Sequence, residues 1–175
     1  MLDVAVSYNR YKFLGNEFLT WLWYLIDTQP GAIKNADDEV VLLEIGNRIV
    51  LENKQRDNLE TITITGDDAG LEEGMLALKK GAVVTEINLL HQEKEHEWRF
   101  TVKGESLGLS NLRCPQTGPI ENEEDVEGAV LEKTYLYEKI TTLLDTLYRE
   151  FISLRVSLDW TKKVVPRMRT WIDKR

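Results

Sequence analysis

The chain has 175 residues, a formal charge of −8, 42 % apolar and 30 % charged residues, and a single cysteine, Cys114. It is too apolar for wholesale disorder and long enough for one domain, residues 1–175, with a sizeable core; one cysteine excludes an internal disulfide framework. No apolar run approaches the ~18 residues of a membrane span, and no basic segment precedes a short apolar one at the start, so a reducing, cytoplasmic setting is expected.

The first predicted element is an aromatic helix. In "FLGNEFLTWLWYLID" (13–27), Leu14, Phe18, Trp21, Leu22 and Leu25 recur on one face of a 3.6-residue period, and Pro30-Gly31 in "TQPG" breaks the helix. Its Trp content suits a wide core or a face shared with another subunit; Trp23 lies off the main stripe and is the residue expected to touch a partner. Glu17 sits among these apolar neighbours, so it either faces solvent or pairs with a base from elsewhere in the fold.

Short strands follow. "EVVLLEI" (39–45) and "RIVLEN" (48–53) flank Gly46-Asn47, a two-residue hairpin signal, and "ETITIT" (60–65) alternates Ile62 and Ile64 with threonine. Residues 66–81 read as a capped middle helix, with Asp67 or Asp68 at the start, Lys79 and Lys80 in the last turn and Gly81 as the stop; Leu71, Met75 and Leu78 are expected to face the sheet. A second set of strands covers 82–90, 98–102 and a weaker 107–114, with Trp98, Phe100 and Val102 on one side and "HQEKEHE" as a polar turn. Residues 115–128, rich in acids, Pro and Gly, read as a loop.

A long helix is predicted from about Leu131. Leu136, Ile140, Leu143, Leu147, Phe151, Leu154 and Leu158 make a nearly heptad seam, suited to core packing more than to a partner coiled coil. Asp159 then caps a short basic segment interrupted by Pro166. The fold class is α+β: a largely antiparallel sheet from two three-strand meanders, packed by an N-terminal aromatic helix, a middle helix and a long C-terminal helix.

Catalytic chemistry is thin. His91 and His96 bracket Glu93 and Glu95, but without the H-E-x-x-H spacing, and a solvated turn explains them better than a metal site. Cys114 has no neighbouring base to activate it. Asp67, Asp68, Glu72 and Glu73 are explained by the preference of helix N-termini for acids, and no Gly-rich phosphate loop occurs. No catalytic residue, metal or cofactor is expected. Charge is unevenly spread: residues 160–175 hold Lys162, Lys163, Arg167, Arg169, Lys174 and Arg175 against Asp173. Such a segment neutralises phosphates, with Trp160 and Trp171 placed to stack or wedge; a frayed tail complementing a helix dipole has the same composition.

The segment "LEEGMLALKKGAVVTEINLLHQEKEHEWRFTVKGESLGLSNLRCP" (71–115) resembles the C-terminal half of the bacterial recombination-associated RdgC proteins. "FLGNEFLTWLWY" resembles a segment of divergent, longer RdgC-like proteins, and "LYEKITTLLDTLYREFISL" the family's final apolar helix; the likeness covers roughly residues 10–155 and rests on core and turn patterns. It implies a DNA-binding protein with little sequence preference, acting in recombination or replication, restraining the RecA recombinase, oligomeric and nucleoid-associated. The family has been labelled a putative exonuclease, but no nuclease motif is present here, so that activity is not carried over. The family's N-terminal half has no counterpart in this sequence. The expected DNA contacts are Lys162, Lys163, Arg167, Arg169, Lys174 and Arg175. The rival expectation is an assembly subunit that presents Trp21, Trp23, Leu147 and Phe151 to a partner protein or a second copy, through the Trp-rich helix 13–27 and the seam 136–158.

Overall fold

The computed structural model describes residues 13–55, 58–66, 69–119 and 122–174. Asp67, Asp68 and Arg175 lie outside the described residues, as does the side chain of Leu71. Helix α1 (Phe13–Thr28) ends where the sequence predicts, and Pro30 opens a 3₁₀ turn (Pro30–Ala32). Five strands follow, β1 (Leu42–Gln55), β2 (Asn58–Thr65), β3 (Val83–Glu93), β4 (His96–Lys103) and β5 (Leu109–Arg113), with helix α2 (Ala69–Lys79) between β2 and β3. Helix α3 (Glu123–Arg155), a π-helical turn (Trp160–Val164) and helix α4 (Val165–Lys174) complete the chain. No described helix is long and apolar enough to cross a membrane.

The α+β reading with an antiparallel sheet holds, but the strands form one sheet in the order β2-β1-β3-β4-β5, not two three-strand meanders. The reason is Gly46-Asn47. These residues do not turn the chain; they form a bulge inside β1, where the register jumps from Ile45↔Leu89 to Ile49↔Ile87. Neither residue has the positive φ that a tight I′ hairpin requires. Instead the Asn88 side chain from β3 fills the space beside Gly46, accepting the Asn47 N–H at 3.3 Å and donating to the Phe100 carbonyl and Thr101 hydroxyl at 3.0 and 3.1 Å. Strand β1 therefore stays extended and pairs with both β2 and β3.

Strand alternation puts Leu43, Ile49, Leu51, Val84, Ile87, Leu89, Trp98, Phe100 and Val102 on one face, all inside the core. Helix α1 packs on that face across β3, and α3 lies beside it, pinned by the Trp98 indole N–H donating to the Leu136 carbonyl at 3.2 Å. The seam Leu136, Ile140, Leu143, Leu147 and Phe151 is buried as expected, whereas Leu158 is exposed because α3 stops at Arg155. Met75 and Leu78 of α2 are buried, and Gly81, at φ +90°, closes that helix with Ala82 N–H bonded to Ala77 O and Gly81 N–H to Leu78 O.

Three further boundaries differ from the sequence reading. Residues 123–128 are helical rather than loop, because Asn122 and Asp125 form a reciprocal capping box: each side-chain oxygen accepts the other's backbone N–H at 3.1 Å. His91 belongs to β3 and is buried, so it is not part of a solvated turn. Asp159 makes no side-chain cap; its carboxylate accepts from Lys163 at 3.0 Å.

Candidate nucleic-acid interface

The basic C-terminal segment is a docked element held at both ends by tryptophan. Trp160 packs edge-on against Phe151 with ring centres 5.5 Å apart, and the Arg155 guanidinium lies 5.4 Å from its ring centre. Arg155 also donates to the Glu17 carboxylate at 2.6 Å, which identifies the partner of the acid inside the aromatic helix. Trp171 packs edge-on against Trp23 and Tyr24 at 5.7 and 5.5 Å, and its indole N–H donates to Asp27 at 2.6 Å. Both tryptophans are therefore buried anchors, which corrects the expectation that they stack or wedge against a nucleic acid. The same packing explains why α1 is buried on more than its predicted stripe: α4 covers Trp23 and Tyr24.

With Trp171 inward and Met168 and Ile172 half-buried beside it, the helical period turns the cations outward. Lys162, Lys163, Arg167, Arg169 and Lys174 are all exposed, and Lys163 is paired with Asp159. A shallow groove of about 480 Å³ runs between α1 and α4, lined by Tyr24, Thr28, Arg167, Thr170, Trp171 and Lys174. The sequence reading missed two members. The Lys79 ammonium donates to the Asp173 carbonyl at 3.4 Å, which brings the exposed Lys79 and Lys80, at the end of α2, beside the end of α4. The signal was available only in part: both lysines complement the α2 dipole, and nothing local says that α4 ends next to them. The arrangement is a cationic ridge along the groove, and among the described residues it carries no exposed aromatic ring, which suits backbone phosphates rather than base stacking.

The proposed interface residues are not on the surface. Trp21, Trp23, Leu147 and Phe151 are buried in the core, where Phe18, Trp21, Phe151 and Tyr148 form one aromatic cluster, so none is available to a partner of the folded chain.

The two histidines, Glu93 and Cys114 are each engaged within the fold. His91 Nδ1 lies 2.9 Å from the Leu42 carbonyl oxygen, so it carries the ring proton and donates it, and the ring stacks on Trp98 at 5.1 Å. His96 meets the same indole edge-on at 5.8 Å. Glu93 pairs with Lys139, and this bond holds its carboxyl below the ordinary value of 4.5, against the opposing effect of burial. Burial raises the Cys114 thiol above its ordinary value of 9.0, with the charge of Lys133 opposing, so the thiol is protonated at neutral pH. Among the described residues no group of three or more His, Cys, Asp or Glu side chains is placed to hold a metal ion. No family model, curated protein or solved structure matches the chain.

Proposed function

We propose that this chain is a non-enzymatic DNA-binding protein of the RdgC-like type, contacting DNA without sequence preference during recombination or replication and restraining RecA. The observation that carries the reading is the docked α4 ridge: cations held outward by buried Trp160 and Trp171, and extended by Lys79 and Lys80. A docked helix spares the cost of ordering the backbone on binding, and its Lys and Arg side chains neutralise phosphates and release the counterions condensed on the DNA, regardless of base sequence. The acidic body does not oppose this, because beyond about 8–10 Å exposed charges are largely screened at physiological salt. In this reading the protein works in the bacterial cytoplasm at the nucleoid. The test is fluorescence anisotropy of labelled duplex and single-stranded DNA titrated with the chain at low and moderate salt. Binding that weakens steeply with salt and ignores sequence supports the reading; no binding at low salt removes it.

The rival, an assembly subunit, loses Trp21, Trp23, Leu147 and Phe151 as its contact residues. It keeps a different surface, the exposed N-terminal third of α3, where Val130, Leu131 and Tyr135 face solvent.

A further inference from the structure

A second surface has the opposite character to α4. Helix α3 carries Leu131, Tyr135, Glu138 and Thr142 at spacings of 4, 3 and 4, which place them on one stripe. Leu131 is 63 % and Tyr135 58 % exposed, unusual for large apolar side chains on a helix whose next turns are core. Opposite this stripe, residues 35–42 run beside the β3–β4 hairpin, held by Asn35, whose side-chain oxygen accepts the backbone N–H groups of Asp37 and Glu39 at 3.0 Å each. Between the two walls lies a hollow of about 530 Å³. Val40, at 61 % exposure, and Leu42 supply further apolar surface on the strand side. The charged residues lining the hollow are Asp37, Glu39, Glu93 and Glu138 against Lys94 and Lys139. Glu93 and Lys139 neutralise each other, and Lys139 lies 5.7 Å from the Tyr135 ring centre. Asp37, Glu39 and Glu138 remain against Lys94, so the hollow keeps a net negative charge beside an exposed aromatic ring and an apolar floor.

We propose that this groove receives the basic α4 ridge of a second copy of the chain, making a head-to-tail contact. The complementarity is specific in kind. Arg167, Arg169 and Lys174 project long aliphatic stems ending in cations, and Asp37, Glu39 and Glu138 offer carboxylates around an apolar floor. A symmetric contact, groove to groove, places like charges together and is disfavoured. The groove and the ridge share no residue, so each copy offers both halves. The self-association does not depend on the DNA reading. If that reading holds, DNA and the second copy exclude each other, because both face the same cations.

The test is sedimentation velocity of the full chain over a wide concentration range, at low and high salt. One variant reverses the groove (Asp37→Lys, Glu39→Lys, Glu138→Lys) and another the ridge (Arg167→Glu, Arg169→Glu, Lys174→Glu). The wild type is expected to show a sedimentation coefficient that rises with concentration and falls back in high salt. Each variant alone is expected to stay monomeric, and an equimolar mixture of the two to associate again. A neutral groove variant (Asp37→Asn, Glu39→Gln, Glu138→Gln) guards against misfolding and is expected to weaken association while keeping the wild-type circular dichroism. A wild type that is monomeric throughout, variants that associate like the wild type, or folded variants that fail to associate when mixed would each overturn the proposal. DNA titrated against the groove variant separates the two readings: it is expected to bind, and loss of DNA binding by the wild type would remove the DNA reading alone.

Discussion

Asn88 shows how a single side chain decides the topology. It is buried, and all its hydrogen bonds serve to hold a bulged β1 against β3 and β4. A methyl group added at Gly46 would lie 2.1 Å from the Asn88 side-chain oxygen. Gly46→Ala is therefore expected to cost about 1–3 kcal/mol, the range for overpacking a closed site, measured by urea denaturation. Asn88→Ala is itself expected to destabilise, because it removes these hydrogen bonds, but in that background Gly46→Ala should add less than it does alone, because the clash is gone. Glu93 makes a second test at this scale. Its folded value is lowered by Lys139, so its contribution to stability is complete above 4.5 and is lost as pH falls through the lower folded value. Glu93→Gln should flatten that part of the acid limb of the stability profile and leave the neutral region with a constant offset. At this scale the sequence narrowed Glu17 to a solvent-facing acid or one paired with a base from elsewhere; the half-buried carboxylate pairs with Arg155, which only tertiary packing brings there.

At the scale of elements, α4 is the case where sequence and structure diverge most usefully. Its composition reads equally as a frayed charged tail and as a nucleic-acid arm, because 3.6-residue spacing of Trp171, Met168 and Ile172 over ten residues is a weak periodic signal. The structure buries Trp171 and half-buries its neighbours, so the helix is part of the fold. Trp171→Ala should cost about 3–5 kcal/mol, undock α4 and let its backbone open, so that limited trypsin cuts after Arg167 and Arg169. Trp171→Phe retains the ring packing and loses only the Asp27 bond, and should stay protected. The strands with clear alternation, Ile62/Ile64 and Trp98/Phe100/Val102, were legible, as was the α2 stop at Gly81. The Gly46-Asn47 hairpin was misread because a turn dipeptide is a local signal, and here a long-range partner, Asn88, competes for it. The start of α3 was placed too late because its first turns carry no apolar seam; the capping box of Asn122 and Asp125 was the signal that marked it.

At the scale of the whole molecule, one antiparallel sheet carries helices on its apolar face, and the two ends of the charge distribution are fixed on different elements. The core was largely legible, since the seam of α3 and the stripe of α1 both face it. The site was legible as a list of cations, but not as a ridge, because the burial of Trp160 and Trp171 and the neighbourhood of Lys79 come only from tertiary contacts. The central claim is that the α4 ridge neutralises DNA phosphates. It is tested most directly by the slope of log affinity for duplex DNA against log salt concentration, measured by anisotropy for the wild type and for a variant with Lys162, Lys163, Arg167 and Arg169 changed to Ala. Four lost phosphate contacts should reduce the magnitude of the slope by roughly 3 to 4, at about 0.9 per contact, with weaker binding to every sequence tested. Equal slopes and equal affinities in the two proteins would contradict the account and place any DNA contact elsewhere on the molecule.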